Sequence, residues 1–454
     1  MSISPQSAPD LHKAPRPVGL IREAATTEAI ALAAVVADLC ESHLDRVRIL
    51  KAQGRRTLRE DVGTILADLL RADFKGRASS AAMGHATRAW EATIVGRERF
   101  SARVMAMRKA GLLQTKIGTR WGDSWEDGPT TFTGSPTLLW PTERLRDLAA
   151  EHGVGAAGAA RDWRISPTAE RQVIKLRPVD LVRIGALEEP NRTASRIGQR
   201  KRVSAVLPES QEETLEVMRA AVAALNAHVA SADIRGCLAP AFRRTFKHAL
   251  TFGGRLNAVG ADRYQIASKE ERAAITISGE PVAEVDIHAS QLCILLALTG
   301  TRSLPPGDLY ACGGLPRDPV KDCVVQTIGA GRFLRRWSDR TPAASKAIPL
   351  RVVQNALRAS YPALGDLPAA VPPAILSGVP KASIDWAAGQ YLVFLESEIV
   401  GDALAYLMAR GVIGLPVHDS ILVPRSAVGL AQAGLGEAST RRLGLPLRTK
   451  VSGS

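Results

Sequence analysis

Two short apolar segments, each delivering a single acid, constrain the fold of this chain most. One is Gly411-Val-Ile-Gly-Leu-Pro-Val-His-Asp-Ser-Ile-Leu-Val-Pro424 and the other is Val282-Ala-Glu-Val-Asp-Ile287. Each reads as a strand that carries one carboxylate, Asp419 or Asp286, to its end. Two carboxylates on adjacent strands can hold a pair of divalent cations, the minimal equipment for moving a nucleotidyl group. A lone aspartate after a strand is ordinarily just a turn residue, so the segments around the pair decide its meaning.

The flanking pattern is regular. Ala274–Ile277 predicts a strand, Ser278–Pro281 a turn and Val282–Asp286 the return strand. Ser290–Leu298 then reads as a buried helix ending near Gly300. Hard oxygen ligands before such a helix suit magnesium, or manganese in its place. In Arg317-Asp-Pro-Val-Lys321, Pro319 fits a first helical turn with Asp318 as N-cap. Arg317 and Lys321 would then stand four apart on one face, where Arg grips phosphate bidentately and Lys adds a point charge. A solvated basic face is the competing account. Further on, Gln390–Ala409 is amphipathic with Leu392, Leu395, Ile399, Ala403 and Leu407 inward, and Gly411 ends it. Val412–Val417 and Ile421–Val423 would form a tight hairpin with His418, Asp419 and Ser420 at its tip.

Taken in order, these residues resemble the palm of the family A, polymerase-I-like DNA polymerases and of the single-subunit phage-type RNA polymerases. Gly253-Gly-Arg-Leu256 and Tyr264-Gln-Ile266 are similar to the family's T-G-R-L and N-L-Q-N-I-P stretch. Ser290-Gln-Leu-Cys-Ile-Leu-Leu-Ala297 resembles the S-Q-I-E-L-R-x-L-A after the first metal-binding Asp, with Ile287 and His288 as extra residues. Asp308-Leu-Tyr310 resembles the element before the fingers helix, and Gln390 the glutamine before the second Asp. The resemblance spans roughly Phe242 to Pro424.

It implies an α+β right-hand catalytic domain over 206–454, with reduced fingers and a thumb partly from Gln211–Ala232. Asp286 and Asp419 would bind two magnesium or manganese ions. Arg317, Lys321, Tyr310 and Gln291 would serve the nucleoside triphosphate, with Lys321 aiding catalysis. Arg255, Gln265, Gln390 and His418 would meet a DNA primer–template. The departures lie in the sugar-reading positions. Gly329 replaces an aromatic, His-Asp-Ser stands where DNA polymerases carry His-Asp-Glu, and the motif A glutamate falls on Cys293 or Gln291. DNA synthesis is favoured by Gly-Gly-Arg-Leu and Ser-Gln-Leu. RNA or primer synthesis stays open. So does a DNA-binding initiator or regulator with an inactive polymerase-like half.

The first part of the chain reads differently. Met1–Gly19 is polar and Pro-rich, an expected disordered tail. Ile21–Arg48, Leu58–Phe74 and Ala81–Ala110 have helical character. Leu112–Gly118 and Pro136–Trp140 read as strands around a turn at Gly122–Gly128, and Pro141–His152 as a helix. Helix, then hairpin, is the pattern of a winged helix. Residues 21–160 are therefore expected to bind nucleic acid, with Arg103 and Arg108 among the phosphate contacts. Arg-rich 161–205 reads as a linker, and no acidic set for a proofreading exonuclease is evident.

Composition agrees with a polyanionic partner: the formal charge is +14. Five cysteines without a CxxC pair predict reduced thiols and a cytoplasmic protein. Ile30–Leu39 is too short to span a membrane.

Overall fold

The computed structural model describes residues 15–44, 49–81, 93–118, 120–123, 131–134, 136–170, 174, 176–185, 187–190, 200–203, 211–259, 263–339 and 341–453. The chain is mixed α+β and divides into two compact units. The first comprises residues 1–174, 234–239 and 259–275; the second comprises 175–233, 240–258 and 276–454.

The first unit is built around the helix Ala52–Asp73. Its second half is buried on every side, including Asp61, Asp68, Arg71 and Asp73. Buried charges are costly unless paired, and here each has a partner. Asp61 takes Arg99 and Arg103, Asp73 accepts Nε and Nη2 of Arg146, each at 2.9 Å, and Arg71 pairs with Glu271. Asp68 accepts the amides of Gly19 and Leu20, each at 2.8 Å. This last contact corrects the expected tail. Arg16–Pro17 is a strand, and Leu20 and Ile21 are fully buried. Residues 1–14 of that tail lie outside the described residues.

Other boundaries also shift. Arg22–Ala24 is a strand rather than the start of a helix, and Thr27–Glu41 follows, capped by the Thr26 hydroxyl. Of the expected helix Ala81–Ala110, residues 82–92 lie outside the described residues; Ser79–Ala81 is a strand and Arg97–Lys109 is helical. Within the expected linker, Trp163–Ile165 pairs antiparallel with Arg22–Ala24, and Trp163 is fully buried. An indole that size buries too much apolar surface to belong to a free connector.

The helix Arg97–Lys109 ends at Ala110–Gly111, where Gly111 adopts φ +71°. Leu113–Lys116 then pairs antiparallel with Thr137–Pro141, and Arg120–Asp123 with Thr131–Gly134. The expected turn Gly122–Gly128 falls largely outside the described residues. Helix Glu143–Glu151 follows, with Thr142 as its side-chain cap.

In the second unit the strand Glu280–Ile287 is central. One edge pairs with Ser420–Pro424, which pairs in turn with Leu415–Val417. The other edge carries Thr276–Ile277 and Thr449–Ser452. A second sheet joins Val182–Gly185, Phe242–Lys247 and Ala249–Ala258. The long helix Ile384–Met408 packs on Ala249–Ala258, on Ser290–Leu298, on Arg317–Ala330 and on Val428–Leu443. It starts six residues before the expected Gln390. The helix Glu212–Ala230 buries Leu215, Val222, Leu225 and Val229. The expectation of one continuous catalytic domain from residue 206 needs revision, because 234–239 and 259–275 cluster with the first unit.

Among the described residues, no helix is long and apolar enough to cross a membrane. All five cysteines are free and buried.

Candidate active site

Register places the two acids side by side. Asp286 is opposite Ser420 on the neighbouring strand, and Asp419 immediately precedes Ser420. The amide of Ile287 donates to the carbonyl of Asp419 at 3.2 Å. The hairpin is tighter than the sequence pattern implies. Ser420 is not at the tip but in the strand, where its hydroxyl oxygen lies 2.7 Å from a Glu284 carboxylate oxygen and 2.9 Å from the Val417 carbonyl, with one proton to share between them. Only His418 and Asp419 make the turn, and His418 adopts φ +55°. A non-glycine residue held there is uncommon. It leaves His418 exposed, with Asp419 beside Asp286.

A third carboxylate lies against this pair. Glu396, from the long helix, is 1 % exposed. It accepts Arg255 Nε at 3.0 Å and a second Arg255 nitrogen, and it accepts the Ser290 hydroxyl. That same hydroxyl is 3.5 Å from Oδ2 of Asp419. Burial, then the negative charges of Glu396 and Asp286, push Asp419 up to about 7, with Arg255 opposing them. Like charges packed together disfavour one another's ionised form. Sequence reading missed Glu396. Its signal was present, since it stands four residues after Leu392 and three before Ile399, on the apolar stripe itself.

Arg255 is held by Glu396, while part of its side chain stays exposed. Gly253 and Gly254 beside it have φ of +81° and +79°. A Cβ on Gly254 would sit 2.7 Å from the Phe246 ring and 3.0 Å from Ser397 Oγ. The close approach seats this strand on the long helix, where the Ser397 hydroxyl donates to the Gly253 carbonyl at 3.0 Å. Gln390 is buried on the same helix, near Gly253.

On the other side stand Tyr310 and Arg317. The charge of Asp419 contributes to raising the Tyr310 phenol, after burial. The Arg317 guanidinium lies 5.1 Å from the Tyr310 ring centroid and donates to Asp308 at 2.5 Å. His288 Nε2 is 3.4 Å from the other Asp308 oxygen. The helix begins at Arg317 with Pro316 as its cap, so Asp318 lies in the first turn instead of capping it. Lys321 is exposed one turn further on, and Gln291 is half-buried on the helix Ser290–Leu298.

Three other expected residues are elsewhere. Gln265 is buried in the first unit, beside and hydrogen-bonded to Tyr264. It lies in the short 3-10 turn Tyr264–Ile266. Arg103 is turned inward to Asp61, whereas Arg108 on the same helix is exposed.

The acids suit an open magnesium or manganese site. Asp286 and Asp419 provide hard oxygens, and a divalent cation would relieve the repulsion that raises Asp419. Such ions keep several waters and need only one or two carboxylates. Glu396 is spent on Arg255 and Ser290. Among the described residues, no group of three or more His, Cys, Asp or Glu is arranged to hold a metal.

No protein-family model matches the chain. No curated protein matches it either.

Proposed function

We propose that the second unit is a template-directed nucleotidyltransferase, foremost a compact DNA polymerase of the family A type that extends a primer. One observation carries this reading: the in-register placement of Asp286 and Asp419 on neighbouring strands, with Tyr310 and Arg317 alongside. Asp286 and Asp419, 133 residues apart in sequence, meet at one sheet end, which supports the polymerase-like reading of the motifs that carry them.

Bound divalent ions would supply charge for the attacking hydroxyl and the leaving phosphates. The chain's own groups do the rest. Asp286 and Asp419 hold the reacting oxygens' counter-charge in place. Arg317 and Lys321 grip the triphosphate, which requires Arg317 to leave Asp308. Ser290 and Glu396 keep Asp419 oriented, and Glu396 also fixes Arg255. The N-terminal helix and hairpin would add nucleic-acid contacts through residues such as Arg108.

Primer extension tests the proposal. Labelled primer–template is offered with dNTPs and, separately, NTPs, under magnesium or manganese. Extension by the wild type and its loss in Asp419→Ala is the expected result, and the preferred nucleotide assigns the sugar. Intact DNA binding without extension under any condition would transfer the protein to the initiator or regulator class.

A further inference from the structure

Among the described residues, many arginines are matched by an acid. Arg59 pairs with Asp38, Arg164 with Glu23, Arg219 with Glu216 and Arg442 with Asp402. Residues 331–360 break the rule, with seven Arg or Lys and one acid. Their local structure concentrates that charge.

The helix Leu350–Ser360 is strongly two-sided. Val353, Gln354 and Leu357 are buried, whereas Arg351, Asn355 and Arg358 are exposed. Steps of four and three put those three on one face. The segment before it runs back along the helix. Arg358 stacks over Phe333, with 4.5 Å to the ring centroid. Gln354 donates to the Leu334 carbonyl at 2.7 Å, and Trp337 Nε1 donates to the Ile348 carbonyl at 3.0 Å. Arg335 and Arg336 lie between those last two contacts and are exposed, so they flank the turn that carries Arg351. Among the described residues, Arg335, Arg336 and Arg351 have no carboxylate partner. Arg332, also exposed, reaches Asp385 only at 3.7 Å.

We propose that Arg335, Arg336, Arg351 and Arg358 form a docking strip for the phosphate backbone of a nucleic-acid strand. From 351 to 358 the helix rises about 10 Å. At about 3.4 Å of axial step per phosphate, that length meets roughly three phosphates of one strand. Guanidinium forks suit phosphate oxygens, and the outer face of Arg358, already stacked on Phe333, can also take a base. A solvated arginine loop would need no anchoring. Here two side-chain hydrogen bonds and a cation–π contact hold the basic segment to the helix, so the charges are presented on a fixed surface. The inference rests on the nucleic-acid reading above and specifies a surface separate from the acids.

Salt-dependent binding tests it without catalysis. A labelled single-stranded oligonucleotide and its duplex are titrated by anisotropy at several salt concentrations. The proteins are wild type, the triple variant Arg335→Gln/Arg336→Gln/Arg351→Gln, and Arg56→Gln as a charge control from the first unit. Thermal melts check that each is folded. The slope of log affinity against log salt should shrink by about 2 in the triple variant, since each lost contact removes about 0.7 to 0.9. Arg56→Gln should leave it unchanged. The preferred form, single strand or duplex, identifies which strand docks. An unchanged slope in the triple variant overturns the strip, while wild-type primer extension would leave the polymerase reading standing. A drop with Arg56→Gln of the size expected per lost contact would also overturn it, because net charge alone would then explain binding. Loss of binding to anionic vesicles but not to oligonucleotides would reassign the surface to membranes. No wild-type nucleic-acid binding at all would overturn both proposals.

Discussion

The Ser290 hydroxyl lies 3.5 Å from Oδ2 of Asp419 while donating to Glu396. One small side chain thus joins a carboxylate on a hairpin to another on a helix. Ser290 is the first residue of its own helix, reached through Ala289 at φ +50°. The left-handed step turns the chain so that the hydroxyl faces both acids. Mutating Glu396 separates its charge from its contacts. Glu396→Gln retains an acceptor for Arg255 but removes the charge, so the magnesium concentration for half-maximal extension should change several-fold, with a smaller loss of stability than in Glu396→Ala. Glu396→Ala leaves Arg255 and Ser290 without their acceptor and should cost about 3 kcal/mol in a denaturant titration. Equal metal dependence for wild type and Glu396→Gln would make the residue purely structural.

The raised Asp419 makes metal-free stability depend on pH. Its carboxyl moves from 3.8 to about 7 on folding, so the folded protein binds the extra proton between those values. The stabilisation is complete below the unfolded pKa and is lost as pH rises through about 7. The shift bounds the effect at about 4 kcal/mol, an upper limit because Asp419 keeps some solvent contact. In chelator, the melting temperature should fall from pH 5 to pH 8, less so in Asp419→Asn. Identical profiles for the two proteins would contradict the crowding of these acids.

At the triphosphate end, Arg317→Ala and Lys321→Ala should raise the nucleotide KM by about ten-fold or more each. An effect on binding without one on turnover marks contacts made equally in ground and transition states. Steady-state extension at varied nucleotide reads this out. No change in KM for either variant would remove both from the nucleotide site.

Gly254→Ala should destabilise the second unit by about 2–3 kcal/mol. Its φ of +79° disfavours a side chain, and the new methyl would press on Phe246, itself fully buried. Urea unfolding measures the loss, and a variant as stable as wild type would mean the strand Ala249–Ala258 is not seated on the long helix as described.

The thiols should resist labelling. Burial pushes Cys40, Cys237 and Cys293 up to about 12 and Cys323 up to about 11. Thiolate is the reactive form. A disulfide reagent at pH 8 should react slowly with native protein and fully after denaturation. Rapid reaction of several native thiols would refute this packing.

The acids were legible because strand patterning is local. Val282–Ile287 and Leu415–Val423 alternate with turn residues that can end only in one place, and each acid follows from counting. Glu396 was legible in principle and overlooked, since an acid on an apolar stripe looks like an exception until a partner such as Arg255 is placed beside it. Gln265 was less legible, because a short motif carries no sign that residues 259–275 cluster with the first unit. The buried end of the expected tail was hidden for a similar reason. A Pro-rich stretch reads as unstructured, and its amides find acceptors only in distant residues, the carboxylate of Asp68 and the carbonyls of Ala78 and Ser80.

Two glycines fix how the Arg317 helix can move. A Cβ on Gly389 would lie 2.1 Å from the Ile328 carbonyl, and one on Gly331 would lie 1.6 Å from the Asp385 carbonyl. The far end of the Arg317–Ala330 helix therefore touches the long helix backbone to backbone. Contact that close leaves no room to slide. Any swing of Arg317 and Lys321 must be a rotation about this pinned end, like a door on its hinge post. The lever is the length of one fourteen-residue helix, about 21 Å. A tilt of a few degrees at the glycines would carry the two basic side chains by an ångström or more.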